Sequence, residues 1–341
     1  MKEPSALLIF GLLIFLISYS LVFGIRNFAL RFGLQDVPND RSSHHTPMPR
    51  GGGLAVVLLV IVVTLIGALL KEIPYVLAAC LGCGLPVALV GMIDDIRHLS
   101  AKSRIIVHLF SATGVASFIC ISAASRLNSV PITAILLGAL IIFYLAWMTN
   151  LYNFMDGIDG IASTQGITVT MITMTIAFQK GNFPLGLVAL VLSSALLGFI
   201  IHNWHPARIF MGDVCSGFLG FTFGVLALWG ALDNTIPFPT ALILMGAFIV
   251  DATYTLLRRL LRGELVYQAH RLHSYQKLAR IGHSRVCLAL AALNILWLAP
   301  AAYSSMKFPE HSWLILLGSY VPLVALAYLV KAGIPEDREW S

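Results

Sequence analysis

The chain has 341 residues, 58% of them hydrophobic and only 11% charged, against roughly 25% charged in an ordinary soluble domain. That composition excludes a soluble globular enzyme. The net charge of +6 reads as a bias of basic residues towards one membrane face, so no nucleic-acid partner is expected.

Apolar runs long enough to cross a hydrocarbon core of ~30 Å recur along the chain. They cover residues 5–25, 54–70, 75–93, 105–123, 131–149, 160–178, 183–201, 215–232, 238–257, 286–305 and 313–330. The expected fold is all-α, a polytopic membrane protein of about eleven transmembrane helices forming one integral-membrane domain over 1–341. With a periplasmic N-terminus and a cytoplasmic C-terminus, one set of loops holds seventeen of the Lys and Arg residues and the other five. The richer set belongs inside. The five cysteines suggest neither a disulfide framework nor a zinc site; Cys80 and Cys83 fall within a span, where they read as packing residues.

After the first run comes DVPNDRSSHHTPMPRGGG (36–53). Its prolines and turn formers argue against regular structure. Arg41, Arg50 and three glycines suit an anion as well as they suit a membrane-entry turn. The third run ends in Asp94 and Asp95. Carboxylates at a helix C-terminus oppose its dipole, so the pair calls for a cation or basic groups nearby. The fifth run ends in NLYNFMDGIDGIAS (150–163), where Asn150, Asn153, Asp156 and Asp159 recur every third residue. On a helix this step makes a polar edge; the spacing does not fit an EF-hand.

HNWHPARIFMGDVCSG (202–217) crowds Asn203, His205, Arg208 and Asp213 into a short connector. Asp213 there is either functional or a helix cap. The longest and most basic loop, 258–285, carries His270, Arg271 and His273. Asp251, two turns before Arg258, reads as its ion-pair partner. The outward loops are plain by comparison, holding only Glu3, Glu72, Asp233 and Glu310 of sixteen acids. A transporter would place ionisable groups at mid-span. Their collection at one face points instead to metal-assisted phosphoryl transfer between a nucleotide donor and a membrane lipid.

PRGGG (49–53), Asp94-Asp95, NLYNFMDGIDG (150–160), HNWHPARIFMGD (202–213) and AHRLHSYQ (269–276) occur in this order over nearly the whole chain. In these motifs the sequence resembles the polyprenyl-phosphate N-acetylhexosamine-1-phosphate transferases. Those include O-antigen and common-antigen initiators and are related to the phospho-N-acetylmuramoyl-pentapeptide translocase. The resemblance implies transfer of N-acetylhexosamine-1-phosphate from a UDP-sugar to undecaprenyl phosphate, with release of UMP, as the first membrane step of an O-antigen or lipopolysaccharide-type pathway.

It also implies a role for each motif residue. Asp213 and Asn153 would bind Mg2+, with Mn2+ as the alternative ion. Asp94, Asp95 and Asp213 would be catalytic. Asp156, Asp159 and Asn203 would hold the nucleotide sugar, with Arg50 also on the substrate and Phe210 stacked on uracil. His270, Arg271 and His273 would meet the diphosphate or sugar. The implied setting is a bacterial inner membrane, with the site facing the cytoplasm and a homodimer left open.

Two departures bear on the donor and the base. The translocases carry three consecutive histidines where this chain has His270-Arg271-Leu272-His273, which favours a simple UDP-N-acetylhexosamine over a peptide-bearing donor. A lysine found in some members after the acid pair is replaced by His98 at the nearest spacing, with Lys102 further on. The basic partner of the pair is therefore open. The alternatives are lipid I-type transfer of phospho-muramoyl-pentapeptide and a non-enzymatic transporter or flippase. A CDP-alcohol phosphotransferase is disfavoured because no arginine follows Asp159-Gly160 as its motif needs.

Overall fold

In a computed structural model, which describes residues 3–36, 46–124, 131–265 and 270–335, every expected apolar run is helical. Arg41 lies outside the described residues. The chain runs through α1 (Pro4–Phe32), a two-residue strand pair β1 (Gln35–Asp36) and β2 (Met48–Pro49), then α2 (Leu54–Leu69). Next come α3 (Tyr75–Gly82), α4 (Leu85–Arg97), α5 (Ala101–Ala124), α6 (Pro131–Phe154), α7 (Ile161–Gln179) and α8 (Phe183–Asn203). α9 (Asp213–Leu232), α10 (Phe238–Leu244), α11 (Gly246–Leu261) and the short α12 (Ser274–Leu278) follow. α13 (His283–Leu293) continues through a π-helical turn, Asn294–Leu298, into α14 (Ala299–Lys307), and α15 (Ser312–Leu329) is last.

By length and composition nine helices among the described residues can cross a membrane, α3–α4 and α13–α14 each counting as one, and the bent pair α10–α11 makes ten. α2 has 16 residues, which at 1.5 Å per residue gives about 24 Å, short of the ~30 Å core. That length accounts for the difference from the eleven expected.

The central span is α9, the most enclosed of them, packed against α4 and α6. Small residues allow both approaches: a Cβ on Gly91 would overlap the Asp213 carbonyl, and one on Gly220 the Met148 carbonyl. Lipid tails are as apolar as the side chains, so such close packing replaces the hydrophobic driving force between spans. One connected core runs from Ile14 to Leu323, with Tyr152, Phe199, Phe218, Phe221 and Phe248 wholly buried in it.

α10 and α11 meet at a 79° bend. The apolar pattern gives no hint of this break. A helix broken at membrane depth frees backbone groups that have no water to satisfy them. Gln165 Nε2 donates to the Leu244 carbonyl (3.3 Å), and Asn294 Nδ2 donates to Gln165 Oε1 (2.8 Å) and Thr168 Oγ1 (2.7 Å). The bend directs α11 so that Asp251 meets the segment leading into α12.

The described ends of the 36–53 segment are more regular than composition implies, because Gln35 pairs with Pro49 and Asp36 with Met48 in antiparallel register. Its glycines are used structurally. Gly52 N and Gly53 N donate to the carbonyls of Phe210 and Met211 (2.9 and 3.0 Å), and Phe210 N donates to the Pro49 carbonyl (2.9 Å). The segment is thereby stitched to the connector before α9, which delivers Arg50 to Asp213.

Candidate functional site

At the end of α4 the two adjacent aspartates point to different partners. Asp95 accepts from the backbone N–H of Asp213 (2.9 Å) and Val214 (3.1 Å) and from Arg50 Nε (2.8 Å). A carboxylate there satisfies otherwise orphaned donors of α9 and complements the positive end of its dipole. The dipole of α4 opposes the acid pair; the start of α9 offsets that cost. The N-cap position of α9 is Gly212, which has no side chain to cap with, and Asp213 is the first helical residue. Of the two readings of Asp213, capping thus falls to Asp95, and the Asp213 carboxylate is left for other work.

Asp213 Oδ1 lies 2.7 Å from Arg50 Nη2, and its Oδ2 3.2 Å from Arg104 Nη1. The same Arg104 nitrogen is 2.8 Å from Asp94 Oδ2, while Asp94 Oδ1 accepts from the Leu99 N–H. Arg104, in the first turn of α5, is therefore the basic partner the sequence left open. His98, at the nearest family spacing, is instead the left-handed C-cap of α4. The signal for Arg104 lay in the short turn between α4 and α5, which folds the start of α5 back over the acid pair.

Asn153, on the last turn of α6, reaches Asp213 and donates to Ser216 Oγ (2.9 Å). The knot thus holds three carboxylates against two guanidiniums. Its hard oxygen donors and surplus negative charge fit a divalent cation of the magnesium kind, which takes few protein ligands and keeps waters and phosphate oxygens. Burial opposes the charge of Arg50, but Asp213 and Asp95 outweigh it and hold the guanidinium protonated.

Asp156 lies in the turn after α6, beside the knot. Burial first, and then the charge of Asp213, push its carboxyl well above the usual range, with Arg50 offsetting part of this. Asp159, three residues on, is held differently. His205 Nδ1 is 2.6 Å from its Oδ2, the Ala207 N–H donates at 3.2 Å, and His283 Nδ1 lies at 3.4 Å. Burial would raise its pKa; His283 and His205 outweigh that and keep it below the ordinary value.

Asn203 is buried, and both ends of its amide are hydrogen-bonded. It accepts from Gly160 N (3.1 Å) and Ser163 Oγ (3.4 Å) and donates to the Ile209 carbonyl (3.1 Å). It braces the Asp159 turn against the 204–212 connector. Phe210, part-buried, is fixed by its backbone bonds to 49–52.

In the last loop His270 is part-buried and His273 buried. His273 is 2% exposed, its Nδ1 3.6 Å from Asp251 Oδ1. Asp251 also accepts from the N–H groups of Ser274 (2.8 Å) and Tyr275 (3.1 Å). The expected Asp251–Arg258 pair does not form: Arg258 Nη1 donates to the Ala332 carbonyl (3.1 Å) and the Tyr254 hydroxyl (3.3 Å). His270 stacks near His273 with ring centroids 4.8 Å apart. Burial, then the nearby His273 and Arg259, depress its pKa to about 3. Arg271 is exposed. Tyr275, which sequence reasoning missed, donates its hydroxyl to the Phe154 carbonyl (2.9 Å) and so ties this loop to the Asn153–Asp159 turn.

A groove of about 490 Å³ between α1, α2 and α4 leads to the knot. Leu21, Ile25, Phe28, Leu54 and Met92 line it, and Arg50 and Asp95 lie at its polar end.

A family model described as glycosyl transferase family 4 matches residues 77–231, a span holding Asp94, Asp95, Asn153, Asp156, Asp159 and Asp213. A Bacillus subtilis protein named "Probable undecaprenyl-phosphate N-acetylglucosaminyl 1-phosphate transferase" is 31% identical over 76% of this chain and 74% of its own length. A Mycobacterium tuberculosis decaprenyl-phosphate N-acetylglucosaminephosphotransferase is 28% identical over 91% of this chain and 85% of its own. A Yersinia pestis undecaprenyl-phosphate alpha-N-acetylglucosaminyl 1-phosphate transferase is 25% identical over 93% and 90%.

Proposed function

The chain belongs to glycosyl transferase family 4, and from that premise we propose that it moves an N-acetylhexosamine-1-phosphate from a UDP-sugar to undecaprenyl phosphate. The observation that carries the reading is the Asp94–Asp95–Asp213 knot, bridged by Arg50 and Arg104 at the end of an apolar groove. A substrate with an isoprenoid tail and an anionic head matches that groove: the tail lies along Phe28 and Leu54, and the phosphate meets Arg50.

In the reaction a lipid-phosphate oxygen attacks the β-phosphorus of the donor. The bond from that phosphorus to the bridging oxygen breaks, and UMP leaves with the electron pair. Asp213 and Asn153 would hold Mg2+, with Mn2+ able to replace it. When bound, the ion would draw negative charge from the diphosphate oxygens. Arg50 and Arg104 release carboxylates to grip phosphates, which lets charge stabilisation develop where the transition state needs it. Asp94, whose partner Arg104 is shared with Asp213, organises the incoming lipid phosphate, and Asp95 holds the start of α9 in place. Asp156 and Asp159 face the nucleotide sugar, Phe210 offers its ring to uracil, and Arg271 meets the diphosphate or sugar from the last loop.

The bias of basic residues towards these loops supports a site facing the cytoplasm of a bacterium, in its inner membrane. A simple N-acetylhexosamine donor, GlcNAc or a 6-deoxy relative, fits the His270–His273 spacing best, and initiation of an O-antigen or lipopolysaccharide-type chain is the matching pathway step. Purified protein given a panel of UDP-N-acetylhexosamines should release UMP only when both polyprenyl phosphate and Mg2+ are present. Failure with every donor, or release that ignores the lipid, would overturn the reading.

A further inference from the structure

Away from the arginine-bridged knot, three distant parts of the chain bring metal-binding atoms to one point. Asp159 comes from the turn after α6, His205 from the connector before α9, and His283 from the first residue of α13. One carboxylate oxygen and two imidazole nitrogens lie within 4.8 Å of one another. The imidazole rings are neighbours, with centroids 4.7 Å apart. His283 Nδ1 is buried without a hydrogen bond of good geometry, although Asp159 Oδ2 is only 3.4 Å away.

We propose that Asp159, His205 and His283 form a site for a divalent transition metal of the zinc class, separate from the magnesium site at Asp213. The donor set supports this choice. Two imidazoles and one carboxylate suit Zn2+ and its neighbours, whereas Mg2+ prefers oxygen ligands alone. Bonds of about 2.0–2.1 Å in tetrahedral geometry put ligand atoms roughly 3.3 Å apart. The Asp159–His283 separation of 3.4 Å already has that value. The Asp159–His205 contact of 2.6 Å opens by about 0.7 Å when the metal replaces the shared proton. Three protein ligands leave a fourth position for water. The Cys287 thiol, one turn beyond His283, donates to the Asp159 backbone carbonyl (3.3 Å) and steadies the turn that carries the carboxylate. A metal here clamps the α6–α7 turn, the 204–212 connector and α13 together at the polar face of the bundle.

The test uses full-length protein without a histidine tag, stripped of metal in detergent and titrated with Co2+ as a spectroscopic probe. The expected result is one saturable site per chain with the intense visible bands of four- or five-coordinate cobalt, persisting in excess Mg2+. Zn2+ should displace the cobalt and raise the melting temperature of the protein, as any ligand of the native state does. His205→Ala and His283→Ala should each weaken cobalt binding by at least the 10–100-fold that losing even an outer partner costs. His205 is 45% exposed in its side chain, so its variant keeps the fold and carries the test if the other does not. Absence of a saturable spectrum, or a spectrum that His205→Ala leaves unaltered, overturns the proposal. Because the readout is optical and thermal, it stands or falls independently of the transferase activity.

Discussion

Asp213 and Asp251 are both aspartates on membrane-spanning helices, and their charges are met in opposite ways. Asp213 is held by the ends of two long side chains, Arg50 at 2.7 Å and Arg104 at 3.2 Å. Asp251 is held by main-chain N–H groups, Ser274 at 2.8 Å and Tyr275 at 3.1 Å. A guanidinium can swing from a carboxylate to an incoming phosphate at little cost. A backbone N–H cannot leave without unwinding the segment that carries it. The first arrangement suits a place where charge is exchanged during turnover, and the second a permanent joint between α11 and α12.

That contrast can be broken at either end. The largest effect is expected at Asp213→Asn, which removes the charge that Arg50 and Arg104 share and that the proposed metal would need. Transfer should fall by on the order of 10²–10³-fold, as with loss of a single preorganised electrostatic group, while the protein stays inserted and its melting temperature moves little. Steady-state UMP release and a thermal melt check both halves; near-normal turnover would remove Asp213 from the metal role.

Asp251→Asn should give the converse pattern. The amide has one acceptor oxygen where the carboxylate had two, so a buried N–H loses its partner at a cost of about 1–3 kcal/mol. A lowered melting temperature with a smaller loss of turnover in the folded fraction is the expected outcome. A large loss of turnover with an unchanged melt would make Asp251 part of the chemistry instead.

The smallest effect is a pH dependence at His270, in the loop anchored by Asp251. Its folded pKa is depressed from 6.5 to about 3, so between these values the unfolded chain binds a proton that the folded one refuses. Stability therefore falls as pH drops below about 6.5 and stops falling near the folded value. His270→Gln should flatten that part of a melting-temperature profile; an identical acid slope in the variant would show that His270 is not its source.

Hydropathy made the eleven helical runs legible, because spanning a bilayer constrains length and polarity so strongly. The acids of the site were legible for the same reason, since carboxylates are costly at the ends of apolar helices. What they touch was not. Asp94 and Asp95 are adjacent in sequence, yet one meets Arg104 and the other the start of α9, a division set by side-chain direction and by the closeness that Gly91 allows. The three glycines after Arg50 read equally well as anion ligands; the carbonyls that occupy Gly52 and Gly53 come from residues 210 and 211, and no local pattern announces them. The 79° bend before α11 lies inside an unbroken apolar run and is sustained by Gln165 and Asn294 from other helices. The Asp251 joint depends on that bend, and so it was misread as a pair with Arg258.

The central claim, phosphosugar transfer to a lipid phosphate, is tested most directly with UDP-N-acetylglucosamine labelled in its β-phosphate, or with whichever donor the panel selects. Incubated with undecaprenyl phosphate, Mg2+ and purified protein, the label should move into a lipid diphosphate while unlabelled UMP accumulates. Label recovered in UDP, with the sugar alone joined to the lipid, would contradict the account.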